Sequence, residues 1–406
     1  MKFKKKISYL FKTLFALFII ALAYFIYAVI WVHNFNADQD KIVKSLSPDF
    51  YQTSQIIRDP NGYFGVVAMI NDQYTDTLMF DTQASSLAKP KILDQYKAEY
   101  WGRKPIPTFN FYKQIYFSKL YKVDDIKIGD CALKGVIFTS VPKDNGMYNT
   151  LYRTILGRSV IKSMVWKFDM DKNQMTMLPL KNEKLLQREG AGFTFIKNGI
   201  NSFPLYSKQT DSLNLILDLG ANYDVIIDKT VYKKLQRHHT PRRYVNFRRV
   251  GLTDTIAEFS GITMHCNGII VPNCTLDYIP TINKNIAGNI FIGKMNFILA
   301  NKDLYLQQRT DTLSNNHSGL ATLGLSINVR NDNIYVTALE INGYAEKAGL
   351  KLGDKVISVD NGAINVDITS VSSGKLEKYI QEAECLILEI ERDGARQSFT
   401  ITSGKE

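Results

Sequence analysis

The sequence predicts a mainly β protein: a duplicated β-rich body, with an apolar helix ahead of it and a smaller α+β module behind it. Three observations carry that expectation. The stretches "LMFDTQASSLA" and "LILDLGANYDVII" each set a lone carboxylate, Asp81 or Asp218, at the end of an apolar run. The run from Leu14 to Val32 contains no charge at all. Beyond Gln307, a polar stretch gives way to short alternating segments punctuated by Gly-Asp and Asn-Gly turns. At 406 residues, 45% apolar and 22% charged, the chain has an ordinary globular composition and length for two to four domains.

The basic start "MKFKKK" precedes an apolar run long enough, at about twenty residues, to cross a bilayer as a helix. A cleaved signal would carry a shorter apolar region, of about 7–15 residues, ending in small residues. Here Tyr24, Phe25, Tyr27 and Trp31 continue past the Ala-Leu-Ala at residues 21–23, which favours an uncleaved anchor. The lysines are expected to stay cytoplasmic, leaving everything after Val32 extracytoplasmic. Residues 1–32 are therefore read as tail and anchor, and 33–60 as a stem.

Residues 61–180 and 181–307 read as two copies of one unit. "FDTQASS" leads into a helix-like "KPKILDQY", and "LDLGANYDVII" into "DKTVYKKL". Alternating strands follow in both, and each reaches a cysteine-bearing turn, around Cys131 and Cys274. Each copy then closes on an apolar-apolar-Gly element: "TILG", 76 positions on from Asp81 (81 to 157), and "NIFIG", 75 on from Asp218 (218 to 293). Repetition in order and spacing argues for duplication. A solitary structural carboxylate need not recur at the same offset, and a buried charge is costly unless it is hydrogen-bonded or has a job.

Asp81-Thr82-Gln83-Ala84-Ser85 with Ile155-Leu156-Gly157 resembles one unit of the retropepsin-like aspartic proteases. Asp218-Leu219-Gly220-Ala221-Asn222 with Ile290-Phe291-Ile292-Gly293 resembles a second. The resemblance spans roughly residues 62–307 and implies a bilobal double β-barrel with two units fused, as in pepsin-like enzymes. It implies a catalytic dyad of Asp81 and Asp218, supported by Thr82, Gln83, Ser85, Gly220 and Asn222, with no cofactor and no metal. Two carboxylates about 3 Å apart share one proton, so one acts as base on a water while the other protonates the peptide carbonyl.

Two positions depart from the pattern. Gln83 stands where the family carries Gly; its N–H survives, but its side chain needs room beside the dyad. Leu219 stands where a Thr would hydrogen-bond the opposite loop, as Thr82 can. The alternative reading is therefore an inactive protease-like fold that binds peptides. The flap residue is left open between Tyr112 and Tyr116.

After a linker at 308–318, residues 319–406 resemble a PDZ domain. Leu323-Gly324-Leu325-Ser326 stands in the position of the carboxylate-binding loop, Ala345 to Leu350 as the small helix, and Leu376–Tyr379 in the groove helix. The resemblance implies capture of an extended peptide, including a C-terminal one, beside Leu325–Val329.

Other classes are disfavoured. The net charge of +11 comes partly from the N-terminus and partly from "RHHTPRRYVNFRR", read as a solvated loop. No aromatic-interleaved basic stripe suggests nucleic acid. Cys131, Cys266, Cys274 and Cys385 are too dispersed for a disulfide framework, though a Cys266–Cys274 bridge stays open. The five histidines lack metal-ligand spacing. "GNIFIGKM" mimics a phosphate loop, but Met295 replaces the Ser or Thr that would hold magnesium, and it reads instead as the strand closing the second unit. The expected protein is a bacterial, membrane-anchored aspartic-type peptidase with a peptide-capturing module.

Overall fold

The computed structural model describes residues 2–44, 50–58, 63–105, 107–109, 115–143, 153–239, 241, 243–249, 252–310, 323–330, 333–340, 342–362, 376, 379–380 and 383–403. The first helix spans Lys2–Lys44, well beyond the apolar run. It continues because "HNFNADQDKIVK" offers neither Gly nor Pro to stop it, and it consumes much of the expected stem. Lys12–Phe35 is long and apolar enough to cross a membrane, as both anchors and signal sequences are.

Two sheets carry the duplication. The first has eight strands, in the order Ile57–Arg58, Phe64–Ile70, Tyr74–Phe80, Thr154–Leu156, Leu87–Ala88, Cys131–Ser140, Lys119–Ile128 and Glu99–Arg103. The second has seven: Phe203–Ser207, Asp211–Leu217, Ile286–Ala287, Val225–Ile227, Ile269–Tyr278, Leu252–Cys266 and Arg243–Arg249. From the second strand of the first sheet onward, the two orders run in step. Period-2 burial builds the strands that matter: Leu213, Leu215 and Leu217 face the core, while Ser212, Asn214 and Ile216 do not.

A third sheet of six antiparallel strands belongs to both halves. The hairpin Met164–Asp169/Gln174–Pro179 pairs with Met295–Ala300/Asp303–Gln308, in register Val165↔Ala300 through Phe168↔Phe297. Gln52–Gln55 and Thr194–Ile196 cap the two edges. Phe168 stacks on Phe297 at 4.4 Å between ring centroids, and Phe80 meets Trp166 edge-on at 5.1 Å. One continuous core therefore joins both lobes and the shared sheet. Phe80 directly precedes Asp81, so that packing seats the first carboxylate on the common base.

The pairing corrects one equivalence. Leu156 lies parallel to Phe80, and Ala287 parallel to Leu217. The counterpart of Gly157 is therefore Gly288, not Gly293. A Cβ on Gly157 would sit 2.2 Å from the Ser85 carbonyl carbon, and one on Gly288 2.2 Å from the Tyr223 carbonyl oxygen. The backbones cross at matching places: Arg158 N–H donates to Ala84 O, and Asn289 N–H to Ala221 O. Asn289–Ile292 is accordingly a short helix, matching Arg158–Ser163, and the closing strand begins only at Met295.

The cysteine turns are not equivalent either. Cys131 opens its strand after the Gly129 turn, whereas Cys274 lies inside Ile269–Tyr278, whose turn is at Asn267-Gly268. Cys266 and Cys274 are free and buried; Cys266 opposes Ile269, and Cys274 opposes Ile262. Within the basic segment, Arg243–Arg249 is a strand paired with Leu252–Glu258 rather than a loop.

The C-terminal module is a five-stranded antiparallel sheet with its own core. Its first strand, Leu325–Arg330, is at an edge, and its small helix covers Tyr344–Lys347. Arg392 grips the buried Asp354 with two nitrogens and reaches the Gly349 carbonyl. Of the expected groove helix, Leu376 and Tyr379 are described, and residues 377–378 lie outside the described residues. Residues 311–318 of the linker and Tyr112 also lie outside them; Tyr116 is in the short strand Ile115–Tyr116.

Candidate active site

The two aspartates end structurally matching strands. Tyr74–Phe80 delivers Asp81, whose N–H donates to Leu156 O at 3.1 Å; Asp211–Leu217 delivers Asp218, whose N–H donates to Ala287 O at 2.9 Å. After each aspartate the chain turns sharply, because the next apolar strand must re-enter the sheet beyond the strand that ends just before Gly157 or Gly288.

The first carboxylate meets the turn that follows the second aspartate. A Cβ on Gly220, two residues past Asp218, would lie 2.2 Å from Asp81 Oδ2. The first lobe's carboxylate thus rests against the second lobe's turn, and only glycine leaves it room. Asp81 Oδ1 accepts the N–H groups of Gln83 and Ala84, both at 2.8 Å. Asp218 Oδ1 accepts one, from Gly220 at 3.0 Å.

The electrostatics follow from that placement. Burial pushes Asp81 above its ordinary value, against the pull of the Gln83 and Ala84 N–H groups. Burial pushes Asp218 up to about 7, the Asp81 charge adds to the rise, and the Gly220 N–H opposes it. Burial is the larger cause at both carboxylates, and the neighbouring charge adds to it at Asp218.

Thr82 is fully buried and works between the lobes. Its Oγ1 donates to Leu217 O at 2.7 Å and accepts the Leu219 N–H at 3.1 Å. Leu219 is also fully buried and sends no hydroxyl back. Gln83 is exposed, and its Nε2 donates to Leu217 O at 2.7 Å. Its side chain found room by lying over the junction instead of inside it.

Two expected supports fall elsewhere. Ser85 Oγ meets Thr139 Oγ1 at 3.3 Å rather than Asp81. Asn222 Oδ1 is buried without a hydrogen-bond partner, not bonded to Asp218. The reason is geometric: each carboxylate is already served by the backbone of its own turn, and the side chain four positions on faces away from it. The register places Asp277 where the first lobe has Thr139, since Leu87 and Ile226 oppose Ile155 and Ile286. Asp277 is buried and pushed well up by desolvation, with Glu258 and Asp224 adding to the rise.

Sequence reasoning missed the Ala84 N–H, the Leu217 carbonyl and Gly288. The first two are backbone groups and leave no side-chain signature. Gly288 had one, because "IAGN" is also an apolar-apolar-Gly element, 70 positions past Asp218 (218 to 288).

Among the described residues, no group of three or more His, Cys, Asp and Glu is arranged to hold a metal ion. At the C-terminal module, Gly324 has φ +74°, its carbonyl accepts the Glu340 N–H, and Leu323 O accepts the Ala345 N–H. Leu325 and Ser326 begin the edge strand.

Among solved structures, the chain is similar to an aspartic proteinase from Irpex lacteus, at 10% identity and TM-score 0.41, over 64% of this chain and 98% of that one. It is also similar to a retropepsin-like aspartic protease from Rickettsia conorii, at 17% identity and TM-score 0.22, over 32% and 94%. A third likeness is to the PDZ domain of EpsC from Vibrio cholerae, at 23% identity and TM-score 0.15, over 19% and 74%. A search of curated proteins returned no match. Residues 312–391 match the family model of the PDZ domain.

Proposed function

We propose that this protein is a membrane-anchored aspartic-type peptidase, in which Asp81 and Asp218 activate a water against a peptide bond. The observation that supports the reading is the packing of Asp81 Oδ2 against Gly220, two residues past Asp218, where the Asp81 charge is felt. A single proton shared between them leaves one carboxylate to take a proton from water and one carboxyl to donate to the substrate carbonyl. The tetrahedral intermediate then collapses as the leaving nitrogen is protonated, and the dyad is restored.

The first helix serves as the anchor, with Lys2, Lys4, Lys5 and Lys6 on the cytoplasmic side and the lobes outside. The PDZ domain adds the peptide-binding step. Among the described residues Leu325–Arg330 lies at the sheet edge, where an extended segment of a protein substrate would add as a further strand, with the Leu323–Ser326 turn at the end of that groove. Capture there raises the local concentration of the segment at the cleft.

The test is cleavage of an unfolded protein by the full chain across pH 4 to 8, beside Asp81→Asn and Asp218→Asn. Wild type is expected to cleave, with a loss of activity above about pH 7 as the shared proton leaves. Each variant should fall by about 10²–10⁴-fold. Equal cleavage by all three would remove the peptidase reading and leave a tethered peptide-binding protein.

A further inference from the structure

We infer that Gln83 is a positioning residue, whose side-chain amide replaces the interlobe hydrogen bond that Leu219 cannot make. The inference rests on the dyad reading above and concerns what holds the two carboxylates in place.

The junction is lopsided. Thr82 Oγ1 binds the second lobe twice, at Leu217 O and at the Leu219 N–H. Nothing equivalent returns from Leu219, whose side chain is sealed in the core. Gln83 Nε2 adds a second donor to Leu217 O, at the same 2.7 Å as Thr82. A carbonyl oxygen has two lone pairs and can take both. Leu217 is the residue immediately before Asp218, so both bonds bear on the strand end that aims the second carboxylate.

Gln83 also holds the first carboxylate, through its own N–H on Asp81 Oδ1 at 2.8 Å. One residue therefore ties the Asp81 carboxylate to the backbone that carries Asp218. The same substitution could not stand in the other half. Gly220 is pressed against Asp81, where a side chain would collide, while the Gln83 side chain lies toward solvent. The two departures from the repeated pattern, Gln for Gly and Leu for Thr, thus compensate each other across the interface.

The experiment compares the full chain in lipid nanodiscs with Gln83→Ala and with the double variant Gln83→Ala/Leu219→Thr. Amide hydrogen exchange at Leu219 reports the junction without requiring activity. Gln83→Ala should speed that exchange about tenfold, the scale of one hydrogen bond. It should lower kcat by roughly 10–100-fold with KM little changed, as misplacement on the order of 1 Å does. The bell of kcat against pH should narrow, because carboxylates held less closely repel less. Adding Leu219→Thr, which restores a hydroxyl from the second lobe, should recover both exchange protection and kcat. Unchanged Leu219 exchange in Gln83→Ala would overturn the proposal, as would failure of the double variant to recover either quantity while its unfolding midpoint stays that of Gln83→Ala. If no form cleaves peptide but Gln83→Ala still loosens Leu219, the peptidase reading falls and the interlobe tie stands.

Discussion

Holding a proton on Asp218 has a measurable cost in folding, and Asp218→Asn exposes it. The carboxyl moves from 3.8 to about 7 on folding, chiefly through burial and secondarily through the Asp81 charge. At about 1.4 kcal/mol per pH unit, its ionisation in the folded chain is opposed by about 4 kcal/mol. Water reaching the partly buried group reduces this to roughly 2–4 kcal/mol. The sign follows from proton counting. Between pH 3.8 and about 7 the folded chain holds a proton that the unfolded chain has released, so stability falls as pH rises through that window. Below it both states are protonated and nothing is lost; above it the loss is complete.

Asparagine keeps the shape and removes the titration. Thermal unfolding of the full chain, followed from pH 4 to pH 8, should give nearly the same lobe midpoint for wild type and Asp218→Asn at the acid end. At pH 8 the variant should melt higher by roughly 5–15 °C, taking about 2–4 °C per kcal/mol for a body of this size. Asp277, also pushed well up by burial, slopes the same way in both proteins and cancels in the difference. A gap that fails to grow with pH, or a variant less stable at pH 8, would refute the reasoning and mean that Asp218 is ionised and content in the fold.

Gly220→Ala drives a methyl into Asp81 Oδ2, so kcat on an unfolded protein substrate should fall on the order of 100-fold while the chain still folds. Gly288→Ala meets two backbone carbonyls and should lower the lobe unfolding midpoint as severely as Gly157→Ala, by at least 1–3 kcal/mol in a denaturant titration. Gly293→Ala, whose nearest neighbour is the far end of the Arg58 side chain rather than backbone, should cost less; the reverse ranking would restore Gly293 as the repeat's counterpart of Gly157. Arg392→Ala removes the cation paired with Asp354, which is 2% exposed and keeps the Lys351 N–H, and should cost the PDZ module about 3 kcal/mol, seen as an early unfolding step that leaves the lobes' transition in place.

Much of this architecture was legible because the repeat is written in side chains. Asp81 and Asp218 interrupt apolar strands, Thr82 differs visibly from Leu219, and the helices after each turn follow at the expected place. The closing glycine of the second half was misread for a physical reason. "NIFIG" is apolar enough to pass for a strand, yet it forms the short helix that packs Phe291 and Ile292 into the core. Spacing alone preferred the wrong glycine, since the second lobe reaches its crossing in 70 positions against 76 in the first (218 to 288, 81 to 157). Strand pairing decides what spacing cannot, because a parallel neighbour to Leu217 must be Ala287. The supports assigned to Ser85 and Asn222 failed on the same ground: the donors were backbone amides, which every sequence carries and none advertises.

On the proposed peptidase reading, the asymmetry of the junction also divides the labour between two nominally equal acids. Asp81 takes two backbone N–H groups and Asp218 only one, so negative charge is better held on Asp81. That charge adds to the rise that burial imposes on Asp218, and the proposed dyad would load in that order, one member to donate and the other to accept. A symmetric pair would leave the proton undecided between its halves. Here the sequence differences that looked like decay, Gln83 and Leu219, sit on opposite sides of the same hydrogen-bonded seam. They are the places where a duplicated fold is free to become unequal without losing its grip on both carboxylates.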